Sequence, residues 1–223
     1  MTLQSLQVLP SRGLELRTRE EGHMSDDSIH SLLSAYFVLY VGLTFGWRTY
    51  RVYRQTRHNP FVLATGDDAD GYVGRAFGAT IVGCLVVIVA PVIEANIAGF
   101  VGPLASLADV TRIPGVLLLG LSLVGVVLAQ AQMGRSWRVG IDRAIRTDLV
   151  EHGLFARSRN PIFLSMRATL LGVFLVIPSA ASLAVLVAGE ILMQVQVRLE
   201  ESHLAALHGA AYAAYRARVP RWL

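Results

Sequence analysis

Two short stretches of this chain gather side chains that could act on a ligand. Residues 149–163 read LVEHGLFARSRNPIF and place Arg157, Arg159, Asn160 and Pro161 in five positions before a long apolar run. Residues 198–223 read RLEESHLAALHGAAYAAYRARVPRWL and set two adjacent carboxylates, Glu200 and Glu201, just after that run. Proline suits a first helical turn and asparagine is a preferred cap, so the first stretch predicts a helix opening at Pro161 with Asn160 as its cap. Gly153 offers a flexible or left-handed backbone point upstream. The free amides of such a helix start, with Arg157 and Arg159 beside them, attract an anionic group. The same residues also read as an ordinary cap beside orienting arginines. Solvation alone does not ask for two like charges side by side, so the glutamate pair calls for another reason. A zwitterionic ligand with a carboxylate, an amine and ribose hydroxyls would match both stretches.

The elements that must position these groups are membrane helices. The chain has 223 residues, 53% hydrophobic and only 16% charged, whereas a soluble domain carries about 25% charge. Apolar runs near twenty residues predict spans at 29–47, at 76–94 with room to extend to Gly102, and at 114–133 opening at Pro114. The block 162–197 is too long for one crossing. Pro178-Ser179 divides it into two helices of about 17 residues, a hairpin. The expected fold is therefore an all-α integral membrane protein with about five crossings and an interfacial helix after the last. Residues 1–28 read as a flexible polar tail, 29–113 as N-terminal membrane helices with a loop at 48–75, and 114–223 as the part that carries the site.

All twenty basic residues are arginine. Arg48, Arg51, Arg54, Arg57 and Arg75 follow the first span, and Arg135, Arg138, Arg143, Arg146, Arg157 and Arg159 follow the third. Arg198, Arg216, Arg218 and Arg221 follow the fifth. Only Arg112 and three tail arginines fall on the other side. The positive-inside rule then puts both large loops, the C-terminus and the candidate site in the cytoplasm, as in a bacterial inner-membrane protein. Arg167 and Glu190 sit on either side of the Pro178-Ser179 turn at about the same depth, roughly 17 Å from it. An isolated charge there costs roughly 2.5–3.5 kcal/mol, which favours a pair. Two roles stand open: an ion pair that locks the hairpin, or a group facing a substrate cavity.

Several classes are set aside. No basic stripe interleaved with exposed aromatics supports nucleic-acid binding. The single cysteine, Cys84, excludes an intrachain disulfide and a CxxC metal site. Glu200-x-x-His203 followed by His208 resembles half of a di-iron carboxylate set, but one such motif is far short of a metal centre. No metal site is expected.

In combination, the two stretches resemble the isoprenylcysteine carboxyl methyltransferase family, including its bacterial members and the related phospholipid methyltransferases. DLVEHGLFARSRNPIF is similar to that family's L-V-x-x-G-x-Y-x-x-x-R-H-P-x-Y pattern. EESHLAALHGAAYAAYRARVPRW is similar to E-E-x-x-L-x-x-x-F-G-x-x-Y-x-x-Y ending in V-P. The resemblance runs over residues 115–222, and RQTRHNPFVLATGDDADGYVGRAF at 54–77 adds to it. It implies an S-adenosylmethionine-dependent membrane methyltransferase without a soluble Rossmann domain. Leu149, Val150, Gly153, Phe155, Arg159, Asn160, Pro161 and Phe163 would then form the cofactor site, with Glu200, or Glu201 as the alternative, on the ribose or amino group. Gly209 and Tyr212 would pack the last helix over it, and Arg198 and Gln196 would face an acceptor carboxylate. Asn160 stands where histidine is common, Phe155 and Phe163 replace tyrosines, and His208 replaces phenylalanine. These departures leave the acceptor open: a small or lipophilic carboxylate, thiol or amine. A sulfonium methyl is already activated, so such an enzyme chiefly needs alignment in a low-dielectric pocket. Two rival readings are a membrane sterol-reductase-like enzyme using NADPH and a non-catalytic membrane scaffold.

Overall fold

The computed structural model describes residues 26–62, 66–93, 105–140 and 146–223. The expected tail up to residue 25, the extension of the second span to Gly102, and Arg143 lie outside those residues. Helix α1 (Asp26–Val41) runs through a π-helical turn (Gly42–Trp47) into α2 (Arg48–Thr56). Then follow α3 (Ala69–Ile93), α4 (Ala105–Met133), α5 (Pro161–Val176), α6 (Ala180–His208) and α7 (Ala210–Arg218). Short 3₁₀ turns occupy Gly134–Ser136 and Gly153–Ala156. No strand forms among the described residues. Phe61 and Val139 make one isolated parallel bridge, with Val62 N–H on the Val139 carbonyl and Val139 N–H on the Pro60 carbonyl, both 2.9 Å.

Among the described residues four stretches are long and apolar enough to cross a bilayer: Ser28–Thr56, Ala69–Val89, Leu107–Ser136 and Ala180–His208. Helix α5 is apolar but has 16 residues, about 24 Å against a hydrocarbon core of roughly 30 Å. The expectation of about five crossings thus meets four full-length helices and one shorter one. On α4 the exposed apolar residues Val110, Ile113, Leu117, Leu121, Val124 and Leu128 recur at spacings of three and four. That row is one helical face turned away from the protein, as a lipid-facing helix requires.

Packing closes the helices into a ring. α1 packs on α3, α3 on α6, α6 on α5 and α5 on α4, while α4 returns to the π turn. The α4–α5 seam is the most extensive because small residues let the backbones meet. A β-carbon at Gly115 would lie 2.8 Å from Val176, and one at Gly172 2.8 Å from Leu119. Such close approach is how helices associate where lipid removes the hydrophobic drive. Ile29, Leu33, Ile88, Leu119, Val173 and Val176 fill the centre.

Three boundaries differ from expectation. Pro114 lies inside α4 rather than at its start, because the helix-forming residues before it extend the helix and Pro114 forgoes a single backbone bond. The loop expected at 48–75 is largely helical, since α2 reaches Thr56 and α3 starts at Ala69; hydropathy marks what lipid tolerates, not where hydrogen bonding stops. The second hairpin helix does not stop near residue 197 but runs 29 residues to His208. Gly209, at φ +53°, ends it and sets off α7, a left-handed position that favours glycine.

The hairpin turn forms at Pro178-Ser179. Ser179 caps α6, its hydroxyl accepting from the Ser182 amide at 3.1 Å while its own amide donates to the Ser182 hydroxyl at 3.0 Å. This reciprocal capping satisfies two otherwise unpaired amides.

Candidate functional site

At the end of the ring where the loops gather, a cavity opens between α6, the 146–163 segment and the N-terminal helices. From α6 it takes Gln196, Glu200, His203 and Leu204, whose spacing of four, three and one places them on one helical face. The 3₁₀ turn and the start of α5 supply Phe155, Arg159, Asn160, Pro161, Ile162, Phe163 and Met166, and Leu149 and Val150 precede them. Tyr40, Thr44 and Phe45 come from α1 and the π turn, Asp70, Val73, Gly74 and Phe77 from α3, and Gln130 and Met133 from α4. Trp137, Arg138 and Val139 complete the rim.

Local features hold these walls in place. The π turn is stabilised from within by Thr44, whose hydroxyl donates to the Tyr40 carbonyl at 2.6 Å. From α4, Gln130 donates to the Thr44 carbonyl at 3.1 Å. Such wide turns gather at functional sites, and this one lines the cavity. Arg48 fastens the same helix to the 134–137 turn, donating to the Gly134 carbonyl at 2.5 Å with its guanidinium 5.7 Å from the Trp137 ring centre. Gly153 adopts φ +63°, and a β-carbon there would lie 2.5 Å from the Gln132 side chain. That glutamine accepts from the Leu154 amide at 2.8 Å. The glycine is required on both counts, conformation and space.

The two glutamates part company. Glu200 faces the cavity and has no hydrogen bond or ion pair among the described residues. Glu201 is buried away from the cavity and fully engaged. Arg159 donates to it through Nε at 3.3 Å and through Nη2, which reaches both carboxylate oxygens at 3.1 and 3.2 Å. Asn160 donates at 3.0 Å, and Arg221 through two nitrogens at 3.1 and 2.8 Å. Asn160 occupies the N-cap position of α5, yet its side chain makes no cap bond. Its amide donates instead to Glu201 and, at 3.2 Å, to the Arg221 carbonyl. The expected capping role is therefore corrected: a carboxylate and a carbonyl from distant elements hold the Asn160 side-chain N–H groups, and its oxygen accepts no bond from the helix's own amides.

Of the residues expected in the site, Leu149, Val150, Phe155, Arg159, Asn160, Pro161, Phe163, Gln196 and Glu200 line one cavity. Four lie elsewhere. Gly153 sits behind the wall against Gln132, and Glu201 is in the ion cluster. Arg198 is exposed on another face of α6, donating to the Gln194 carbonyl and side chain at 2.6 and 2.9 Å. Tyr212 is 2% exposed, packed with Tyr215 and Val219, and its hydroxyl has no hydrogen-bond partner among the described residues. Burial, and next the Glu201 charge, push that phenol up to about 12. It is Tyr215 that reaches the cavity, donating to the Phe155 carbonyl at 2.7 Å.

Sequence reasoning missed the contributions of α1, α3 and α4, because nothing local marks which face of an apolar helix turns toward a distant loop. His203 and Leu204 were within reach: both sit one turn beyond Glu200. Among the described residues no cluster of histidine, cysteine and carboxylates is arranged to hold a metal.

A second, almost wholly apolar cavity lies deeper among α1, α3, α5 and α6, and shares Tyr40, Phe45, Phe77 and Met166 with the first. Arg167 and Glu190 line neither. They form an ion pair at 2.6 Å on the other side of the hairpin, with Arg167 also 4.4 Å from the Trp222 ring centre. Of the two roles left open for them, the geometry takes the structural one.

The family model of the phospholipid methyltransferases matches residues 110–211. That span takes in the start of α5, the hairpin and both glutamates, and shows a likeness to the phospholipid methyltransferases over that part of the chain. No curated protein matches the chain.

Proposed function

From that family match we propose that the protein transfers a methyl group from S-adenosylmethionine to a lipophilic acceptor at the membrane face. The observation that carries this reading is Glu200, a carboxylate with no partner among the described residues, in one cavity with the helix start at Asn160-Pro161. A carboxylate so placed accepts hydrogen bonds from an ammonium or from ribose hydroxyls. Phe155, Phe163 and Tyr215 supply aromatic walls for a flat base. The first-turn amides of α5 have no acceptor within their helix and favour the ligand's carboxylate. When bound, S-adenosylmethionine supplies a sulfonium methyl already activated for transfer.

The chain's own task is then alignment and exclusion of water. The apolar annex continues from the first cavity past Tyr40, Phe45, Phe77 and Met166, and suits the hydrocarbon part of an acceptor. Its nucleophile, a carboxylate, thiol or amine, would rest near Gln196, whose amide can donate or accept. Isoprenylcysteine carboxyl methyltransferase-like chemistry, with a carboxylate acceptor, needs no general base from the chain. The arginine-rich connections support a cytoplasmic position for this face.

Thermal shift of the purified protein in detergent, titrated with S-adenosylmethionine, S-adenosylhomocysteine and NADPH, tests the reading. The first two are expected to stabilise it. Glu200→Gln should weaken that response by about tenfold to a hundredfold, the worth of hydrogen bonds to a charged acceptor. Stabilisation by NADPH alone would point to a reductase, and indifference to all three would point to a scaffold; either overturns the proposal.

A further inference from the structure

The densest polar cluster outside the cavity surrounds Glu201, and the segment from Val219 to Trp222 threads through it. The Arg159 backbone amide donates to the Pro220 carbonyl at 3.0 Å. The Arg159 guanidinium reaches the Val219 and Arg216 carbonyls at 2.8 and 3.2 Å. Ser158 and Asn160 both donate to the Arg221 carbonyl, at 3.3 and 3.2 Å. Arg221 closes the cluster on Glu201, and the next residue, Trp222, lays its ring against Arg167, which Glu190 holds from the other side. The segment is thus fastened at two points, one on each hairpin helix. None of Glu201, Arg221, Trp222, Arg167 and Glu190 touches the cavity, while Arg159, Asn160 and Pro161 line it.

We propose that Val219–Trp222 is a clasp that sets the Arg159–Pro161 helix start against the cavity, with Glu201, Arg221 and Trp222 as positioning residues rather than ligand contacts. This rests on the reading of the cavity as the cofactor site. The physical reason lies in Arg159. It is a cation lining the same cavity as Glu200, a carboxylate with no partner among the described residues, and opposite charges in a low-dielectric site close on each other. Glu201 and the carbonyls of the clasp take up the Arg159 donors instead, which leaves Glu200 open for a ligand. By linkage, a ligand that needs this arrangement must in turn tighten the clasp.

Hydrogen–deuterium exchange on the full chain in detergent, with and without S-adenosylmethionine, reads this directly. In the wild type the ligand is expected to slow exchange at residues 155–161 and at 217–223 together. Arg221→Met and Trp222→Ala should each speed exchange at 155–161 without ligand and raise the S-adenosylmethionine Kd by about tenfold, a common size for coupling between sites. Trp222→Phe keeps an aromatic face for Arg167 and should recover most of the loss. If the ligand protects 155–161 but not 217–223, or the two variants bind as the wild type does, the clasp is wrong while the cofactor site stands. If the wild type does not respond to S-adenosylmethionine at all, the cofactor reading fails and the clasp proposal falls with it.

Discussion

Glu200 and Glu201 are neighbours on one helix, yet they belong to different regions of the molecule. Adjacent helical residues point about 100° apart, enough to send one into the cavity and the other into the seam behind it. On the cavity side a carboxylate stands among aromatic and polar walls without a partner among the described residues. On the seam side its neighbour is held by two arginines and an asparagine, with the Arg159 and Glu201 side chains only 9% and 8% exposed. The open group is available to a ligand; the saturated one is a structural joint. The difference shows that a motif of two like residues can divide its labour, one member binding and the other building the wall.

The strongest way to break this contrast is to truncate each glutamate. Glu201→Ala leaves Arg159 buried without its counter-charge and should cost about 3–5 kcal/mol of stability. Glu200→Ala removes an unpaired carboxylate from a low-dielectric wall and should be neutral or stabilising. Chemical denaturation in detergent reads both, and equal losses would erase the distinction. Next comes the intramembrane ion pair: Arg167→Leu should cost about 2–3 kcal/mol, and adding Glu190→Leu should restore part of it. Additive losses in the double variant would mean that the two charges do not act as a pair. At Gly153, alanine must hold a left-handed backbone against Gln132, a penalty of about 1–2 kcal/mol visible as a lower thermal midpoint. An unchanged midpoint would show that the 3₁₀ turn relaxes freely. The smallest effects sharpen the picture in α7. Tyr215→Phe should lose about 1 kcal/mol with its bond to the Phe155 carbonyl, whereas Tyr212→Phe, whose hydroxyl is already unpartnered, should be neutral or slightly stabilising.

Features set by local chemistry or simple geometry were legible from the residues alone. Pro178-Ser179 had to interrupt an apolar block too long for one crossing, and the rise per residue of a helix put Arg167 and Glu190 at one depth. The α5 start at Pro161 followed from proline's fixed geometry and absent amide. The left-handed backbone at Gly153 was one of the options that glycine allows. What depends on distant packing was not legible. No pattern in 29–47 announces that its end winds into a π turn facing the site, and nothing near Asn160 says that a carboxylate forty residues on will claim its amide. Arg198 looked well placed by spacing, but its direction on α6 carries it to the outer face beside Gln194.

By itself the sequence determined an apolar, helical, membrane-crossing chain with its polar chemistry confined to two stretches, because hydrophobic run length and arginine placement act without regard to the rest of the fold. Tertiary structure decided which of the two glutamates is open, which tyrosine of α7 reaches the cavity, and what Arg159 is tied to. Those outcomes follow from the rotation of side chains around a helix and from which neighbours the ring of helices brings against each face, and neither is encoded at any single position.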